Sequence, residues 1–288
     1  MEEPRSPDRR GALYVAGAAL LWSTGGIGIK AVAAPALTVA CYRSAIAGVA
    51  LLAFFRPRSW PVQMPGFAVA TLSYAATVTT FVVATKWTTA ANAIFLQYSG
   101  VVWVLLASPF VLDEPLTAQD VVAVGVALVG MSLFFVGRLE THPGGDAVAL
   151  LSGVAYASTA LSLRRERGAS AETAVVAGNL LTALLLSPFA GAPSSILPGS
   201  LAILLFLGVV QIGGAYVLFL RGLQLIPATQ ASTVGMLEPV ANPIWVFLLL
   251  GERPGGFALA GGAIVLGAIG WRTWQEGKAT VTELPAPD

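Results

Sequence analysis

Apolar residues in this chain come in runs of about twenty, one after another, separated by short clusters of charge, proline and glycine. A bilayer core about 30 Å thick is crossed by about twenty apolar residues in helical form, because a helix satisfies its backbone polar groups within its own segment. The pattern therefore predicts membrane-spanning helices over 11–30, 35–55, 66–85, 90–112, 118–137, 146–164, 171–190, 199–220, 228–250 and 256–274. Most loops between them are very short, which leaves no room for a separate soluble domain and places the function inside the membrane.

Composition agrees with the pattern. Of 288 residues, 56% are hydrophobic and only 11% charged, against about one quarter charged in a soluble domain. The first ten residues are polar and contain proline, and the first apolar run is followed directly by a second, so no cleaved signal peptide is expected. The one cysteine, Cys41, falls inside an apolar span, where it reads as a small buried hydrophobe and excludes an intrachain disulfide. The one histidine, His142, lies in a Thr-His-Pro-Gly-Gly loop and is assigned no role.

Charge sets the orientation. With the N-terminus in the cytoplasm, Arg5, Arg9, Arg10, Arg56, Arg58, Arg164, Arg165, Arg167, Arg221, Arg272 and Lys278 fall on the cytoplasmic side, and Lys30, Lys86, Arg138 and Arg253 on the outer side. Eleven against four satisfies the positive-inside rule and predicts that both termini are cytoplasmic. Arg43 is left over inside the second span.

The chain also repeats itself. Residues 82–114, VVATKWTTAANAIFLQYSGVVWVLLASPFVLDE, align without gaps on 220–252, LRGLQLIPATQASTVGMLEPVANPIWVFLLLGE. Each has a helix end, a tight turn, an Ala-rich start, a long apolar helix and an acidic residue. Gly125 with Gly130 and Gly262 with Gly267 follow at the same separation, and the stretch from Ala19 to Thr24 resembles that from Gly153 to Ser158. The organisation predicted is a tail over 1–10, a five-helix repeat over 11–137, a second over 146–274 and a cytoplasmic tail over 275–288. Five is odd, so the second repeat starts on the opposite side of the membrane. The fold class expected is thus an all-α membrane protein whose ten transmembrane helices form a five-plus-five inverted repeat, a common build of secondary transporters with a midplane site between the halves. The first, third and fourth helices of each half would line that site.

Leu21-Trp22-Ser23-Thr24, the LQLIPATQAS turn, the MLEPV segment and the LLLGE helix end resemble the EamA-type branch of the drug/metabolite transporter superfamily. The resemblance covers nearly the whole chain and implies ten helices in the inverted arrangement. Its aromatic-bearing, carboxylate-poor spans are most similar to the amino-acid exporters, including the aromatic amino-acid group. One departure stands out: where the second half has MLEPV, the first has Tyr98-Ser99-Gly100-Val101, without Glu or Pro.

Small residues come first as packing elements, since close contact replaces the hydrophobic effect between helices in lipid. Ala149, Gly153 and Ala157 share one face of the sixth span and Ser44 and Gly48 one face of the second, which reads as two packing seams. Gly25-Gly26 and Gly213-Gly214 read equally as bends beside a cavity or as packing. Polar side chains inside spans cost free energy unless they face protein or water, so they point inward. Ser73, Thr77 and Thr80 share a face of the third span with Tyr74 beside them; Asn92, Ser99 and Trp103 share one of the fourth, adjoining Gln97 and Tyr98. Gln211 and Tyr216 lie near Gly214 on the eighth, and Ala231, Gly235, Glu238, Asn242 and Trp245 form a stripe down the ninth.

Glu238 is the sharpest signal. A carboxylate at mid-span costs about 2.5 to 3.5 kcal/mol on insertion scales, so it must be protonated, paired or wet. It is followed by Pro239, which removes a backbone hydrogen bond and frees a carbonyl. An ion pair with Arg43 and a protonated carboxyl bonded to a backbone carbonyl are the structural alternatives to binding a substrate amine or a coupling proton. Trp60, Trp87, Trp271 and Trp274 sit at span ends, as an interfacial belt does. Tyr74, Tyr98, Trp103, Tyr156, Tyr216 and Trp245 lie deeper and, with Trp22, suit a cavity for amphipathic organic substrates.

The candidate cavity residues are therefore Trp22, Tyr74, Thr77, Asn92, Tyr98, Trp103, Tyr156, Gln211, Tyr216, Glu238, Asn242 and Trp245. No His or Asp and only one Glu lie deep in the spans, so the chain does not read as an enzyme or a metal protein. It carries no phosphate-binding loop for ATP drive, and nothing reads as a selectivity filter. Scarce basic residues at depth argue against a phosphate substrate. The function expected is alternating-access export of amino acids or similar metabolites from a bacterial plasma (inner) membrane. A multidrug, nucleoside or sugar carrier of the same fold and a passive channel stay open. Partners expected are a small-molecule substrate and the lipid bilayer, with no nucleic acid, cofactor or metal; a monomer suffices.

Overall fold

The computed structural model describes residues 9–61, 64–133, 136, 142–192, 196–250 and 255–282. Among them, helix fills ten successive stretches. The first is Arg9–Ala31, in pieces Arg9–Trp22 and Gly25–Ala31; the second Ala36–Phe55; the third Pro65–Trp87; the fourth Ala90–Val111, broken at Tyr98; the fifth Ala118–Leu133. The sixth is Pro143–Glu166, the seventh Gly168–Leu186, and the eighth Pro198–Leu225 with a π-helical segment at Phe206–Gly214. The ninth comprises Ala228–Gly235 and Leu237–Leu250, and the tenth is Gly256–Thr282, which carries helix through 275–282, read from sequence as tail. Glu252, Arg5, Arg138 and Arg253, all used above, lie outside the described residues.

Eight of these helices are long and apolar enough to cross a membrane. The fifth, with 16 residues, and the ninth, in pieces of 8 and 14, are shorter. Local chemistry sets the ends. Thr89 accepts a hydrogen bond from the Asn92 N–H and starts the fourth helix, and Arg56, in the left-handed region at φ 49°, stops the second. Lys30 Nζ donates to the Thr88 carbonyl at 2.7 Å and Lys86 Nζ to the Val32 carbonyl at 2.6 Å, so the first and third helices end side by side with each covering the other's free carbonyl.

The two halves match in register. The gap-free alignment places Ala90–Gln97 on Ala228–Gly235, Tyr98 on Met236, and the end of the third helix at Trp87 on the end of the eighth at Leu225. Packing between the halves is reciprocal: the third helix lies on the sixth as the eighth lies on the first, and the fourth lies on the sixth as the ninth lies on the first. Counterparts meet too, and they run antiparallel. Thr38 approaches Gly191 and Gly48 approaches Asn179 between the second and seventh helices; Asp120 meets Arg272 and Gly130 meets Ile264 between the fifth and tenth. Such pairing is what a two-fold axis lying across the helices requires.

Small residues set these distances. A Cβ on Gly100 would stand 2.5 Å from the Gly153 carbonyl oxygen, and one on Gly153 would stand 2.8 Å from the Gln97 carbonyl, so the fourth and sixth helices touch backbone to backbone. Ala149 and Ala157, one turn to either side of Gly153, are buried, and Gly48 packs on Leu180. The outer surface is apolar, with Leu13, Phe110 and Leu184 exposed; Trp87 is exposed at the end of the third helix, Trp60 in the connection before that helix, and Trp274 within the tenth. Inverted relative to a soluble protein, polar groups such as Arg43, Gln211, Asn179 and Glu238 are inside.

Candidate functional site

A cavity opens where the halves meet, lined by Trp22, Arg43, Thr77, Val78, Phe81, Gln97, Tyr156, Gln211, Ile212, Tyr216 and Glu238. The first, third and fourth helices of each half contribute to it, and the second adds Arg43.

The first, fourth, eighth and ninth helices each depart locally from regular helix near the cavity. The first helix breaks at Ser23 and Thr24, whose hydroxyls bond to the carbonyls of Leu20 and Leu21, leaving Trp22 at the end of one piece and Gly25 at the start of the next. Opposite lies the π-helical segment, a widened turn often found at functional sites. It presents Gln211, whose Nε2 donates to the Trp22 carbonyl at 3.3 Å while its Oε1 accepts from Arg43 Nη2 at 2.6 Å. A Cβ on Gly25 would stand 2.6 Å from Gln211 Nε2, so this reach across the break needs glycine there. Gly213 and Gly214 close the π segment.

The fourth and ninth helices break at matching positions, and side chains link the breaks. Pro239 has no N–H to give the Gly235 carbonyl one turn back; Tyr98 Oη donates to that carbonyl instead, at 2.6 Å. The same phenol lies 3.0 Å from Glu238 Oε2. A phenol has one proton, so its hydroxyl is shared between the Gly235 carbonyl and the Glu238 carboxyl. Among the described residues Glu238 forms no ion pair with Arg43, which sets aside the pairing considered from sequence.

Aromatic rings complete the wall. Tyr216 stands edge-on to Trp22 at 5.2 Å between centroids and to Tyr74 at 4.7 Å, and Phe219 lies 5.0 Å from Trp22. Six residues singled out from sequence line the cavity: Trp22, Thr77, Tyr156, Gln211, Tyr216 and Glu238. Tyr98 stands behind Glu238. Tyr74 backs the cavity through Tyr216, fully buried and accepting from Asn179 Nδ2 at 2.7 Å.

Four others lie elsewhere. Trp103 is 49% exposed on the outer surface: the stripe drawn from Asn92 to Trp103 assumed one continuous helix, and the break at Tyr98 puts the two on separate pieces. Asn92 sits at the start of the fourth helix, donating to Asp146 Oδ1 at 3.4 Å, where Thr88 donates to the same oxygen at 2.8 Å. Trp245 Nε1 donates to Ser23 Oγ at 2.7 Å, and Asn242 faces Gly26, so both brace the break in the first helix. Conversely, Phe81 and Gln97 line the cavity without having been chosen. Phe81 was legible, since it follows Thr77 by one helical turn.

The comparisons with known proteins agree with this architecture. The family model described as the EamA-like transporter family matches twice, over residues 9–136 and again over 143–272. No curated protein matches the chain. A protein of known crystal structure shares the arrangement with a TM-score of 0.77 over 92% of this chain and 98% of its own, at 18% identity, which bears on the fold alone. Two matches in tandem span nearly all of the helices described above, and on that footing the chain belongs to the EamA-like transporter family of integral membrane transporters.

Proposed function

We propose that the chain is an alternating-access carrier that exports amino acids or similar small amphipathic metabolites, with aromatic and hydrophobic side chains favoured. All ten helices cross the bilayer in this reading, both termini are cytoplasmic, and the membrane is a bacterial plasma membrane. The observation that carries it is the cavity at the meeting of the halves, where Glu238 stands among the rings of Trp22, Phe81, Tyr156 and Tyr216. A carboxyl offers a partner for an ammonium, and rings offer a stacking surface for an apolar side chain. The antiparallel counterparts support the mechanism, because rocking one half against the other exposes a central site to each side in turn.

Purified protein in liposomes preloaded with unlabelled phenylalanine is expected to accumulate labelled phenylalanine by counterflow, which a channel does not do. Uptake of a drug cation or nucleoside with none of any amino acid would overturn the substrate class. Glu238→Gln is expected to abolish the pH dependence of uptake and to reduce its rate at least about tenfold; unchanged rate and unchanged pH profile would remove Glu238 from the site.

A further inference from the structure

Two charged side chains face the cavity, Glu238 and Arg43. Arg43 is only 3% exposed. Among the described residues no carboxylate oxygen lies within 4.0 Å of its guanidinium, unlike Arg164 and Arg272, which pair with Glu114 and Asp120 at 2.8 and 2.7 Å. Among the described residues its one side-chain hydrogen-bond partner is the neutral amide of Gln211, and its Nε has none. A guanidinium carries five N–H donors and a charge that cannot be shed, so a buried one normally finds an anion. Gln211 cannot be that anion. Tethered in turn to the Trp22 carbonyl, it holds the guanidinium at the cavity wall and leaves donors free.

The geometry points to Arg43 as the carboxylate subsite of this transporter, so that the cavity selects zwitterions: the α-carboxylate of an amino acid on Arg43, its ammonium on Glu238, its side chain against Trp22, Phe81 and Tyr216. This rests on the reading above that the cavity takes small amphipathic metabolites, and it adds the requirement for both charges on one molecule. The physical reason is that each buried charge needs its own counter-charge, and a guanidinium fork matches the two oxygens of a carboxylate. An amine lacking the carboxylate leaves Arg43 uncompensated in a low-dielectric site, and a carboxylic acid lacking the amine does the same to an ionised Glu238. Gln211 is a positioning residue here, acting through Arg43.

Three labelled probes that differ only in charge test this: phenylalanine, phenethylamine without the carboxylate, and 3-phenylpropionate without the amine. In proteoliposomes of the wild-type chain, phenylalanine is expected to enter at least about tenfold faster than either of the others. In Arg43→Met the ratio of phenylalanine to phenethylamine uptake is expected to fall about tenfold or more. Because both probes are measured on one preparation, loss of folded protein cancels from that ratio. Should Arg43→Met yield no inserted protein, the ratio in Gln211→Ala decides, with a several-fold fall expected. An unchanged ratio in the variant that inserts overturns the subsite while leaving amino-acid transport standing. A wild-type chain that moves phenylalanine and phenethylamine equally well overturns it too. No uptake of phenylalanine by the wild type overturns the substrate class and the subsite together.

Discussion

Gly100→Ala is expected to eliminate most of the folded protein. The added methyl would stand 2.5 Å from the Gly153 carbonyl oxygen and 3.2 Å from its carbon, and a backbone group cannot swing aside as a long side chain can. The fourth and sixth helices would have to separate, and the displacement would carry Tyr98 and Tyr156 with it. Overpacking in a well-packed core typically costs about 1–3 kcal/mol, and this contact belongs at or above the top of that range. Size-exclusion profiles and thermal unfolding in detergent measure it. Gly125→Ala is the control: nothing lies within 4 Å of its added methyl, so its melting temperature should match the wild type. Equal behaviour of the two variants would refute the backbone contact.

Arg272→Ala should be nearly as damaging, for an electrostatic reason. Arg272 meets Asp120 at 2.7 Å, joining the tenth helix to its counterpart, and both side chains are at most 10% exposed. Asp120 Oδ2 keeps the N–H and hydroxyl of Thr117, but its charge would lose its cation. Removing one partner of a buried pair costs about 3–5 kcal/mol. Arg272→Ala with Asp120→Asn should recover part of the loss, since the second change removes the stranded charge. A melting temperature unaffected by the single substitution would mean that the pair contributes nothing to holding the fifth and tenth helices together.

The helical runs and their duplication could be read along the chain because both depend on composition and spacing alone. Runs of twenty apolar residues mark helices whatever their neighbours are, and the alignment of 82–114 on 220–252 placed the breaks at Tyr98 and Met236 in register before either was visible as a break. Pro239 also told its own story: the carbonyl it frees is the one Tyr98 bonds. What spacing could not supply is phase across a break. Trp103 faces outward because its piece of the fourth helix is not continuous with that of Asn92. Arg43 stood out as a lone basic residue at depth, but that Gln211 rather than Glu238 holds it depends on a π-helical turn with no signature in the hydrophobic pattern.

The bond from Tyr98 to the Gly235 carbonyl means that neither five-helix unit is self-sufficient. The first contributes a hydroxyl with no use at home, and the second has an acceptor orphaned by its own imino acid. Separated in a bilayer, the second unit would leave that oxygen in hydrocarbon with nothing to receive, a cost of several kcal/mol that reunion removes. Coexpressed fragments therefore have a thermodynamic incentive to find each other, written into a single missing hydrogen.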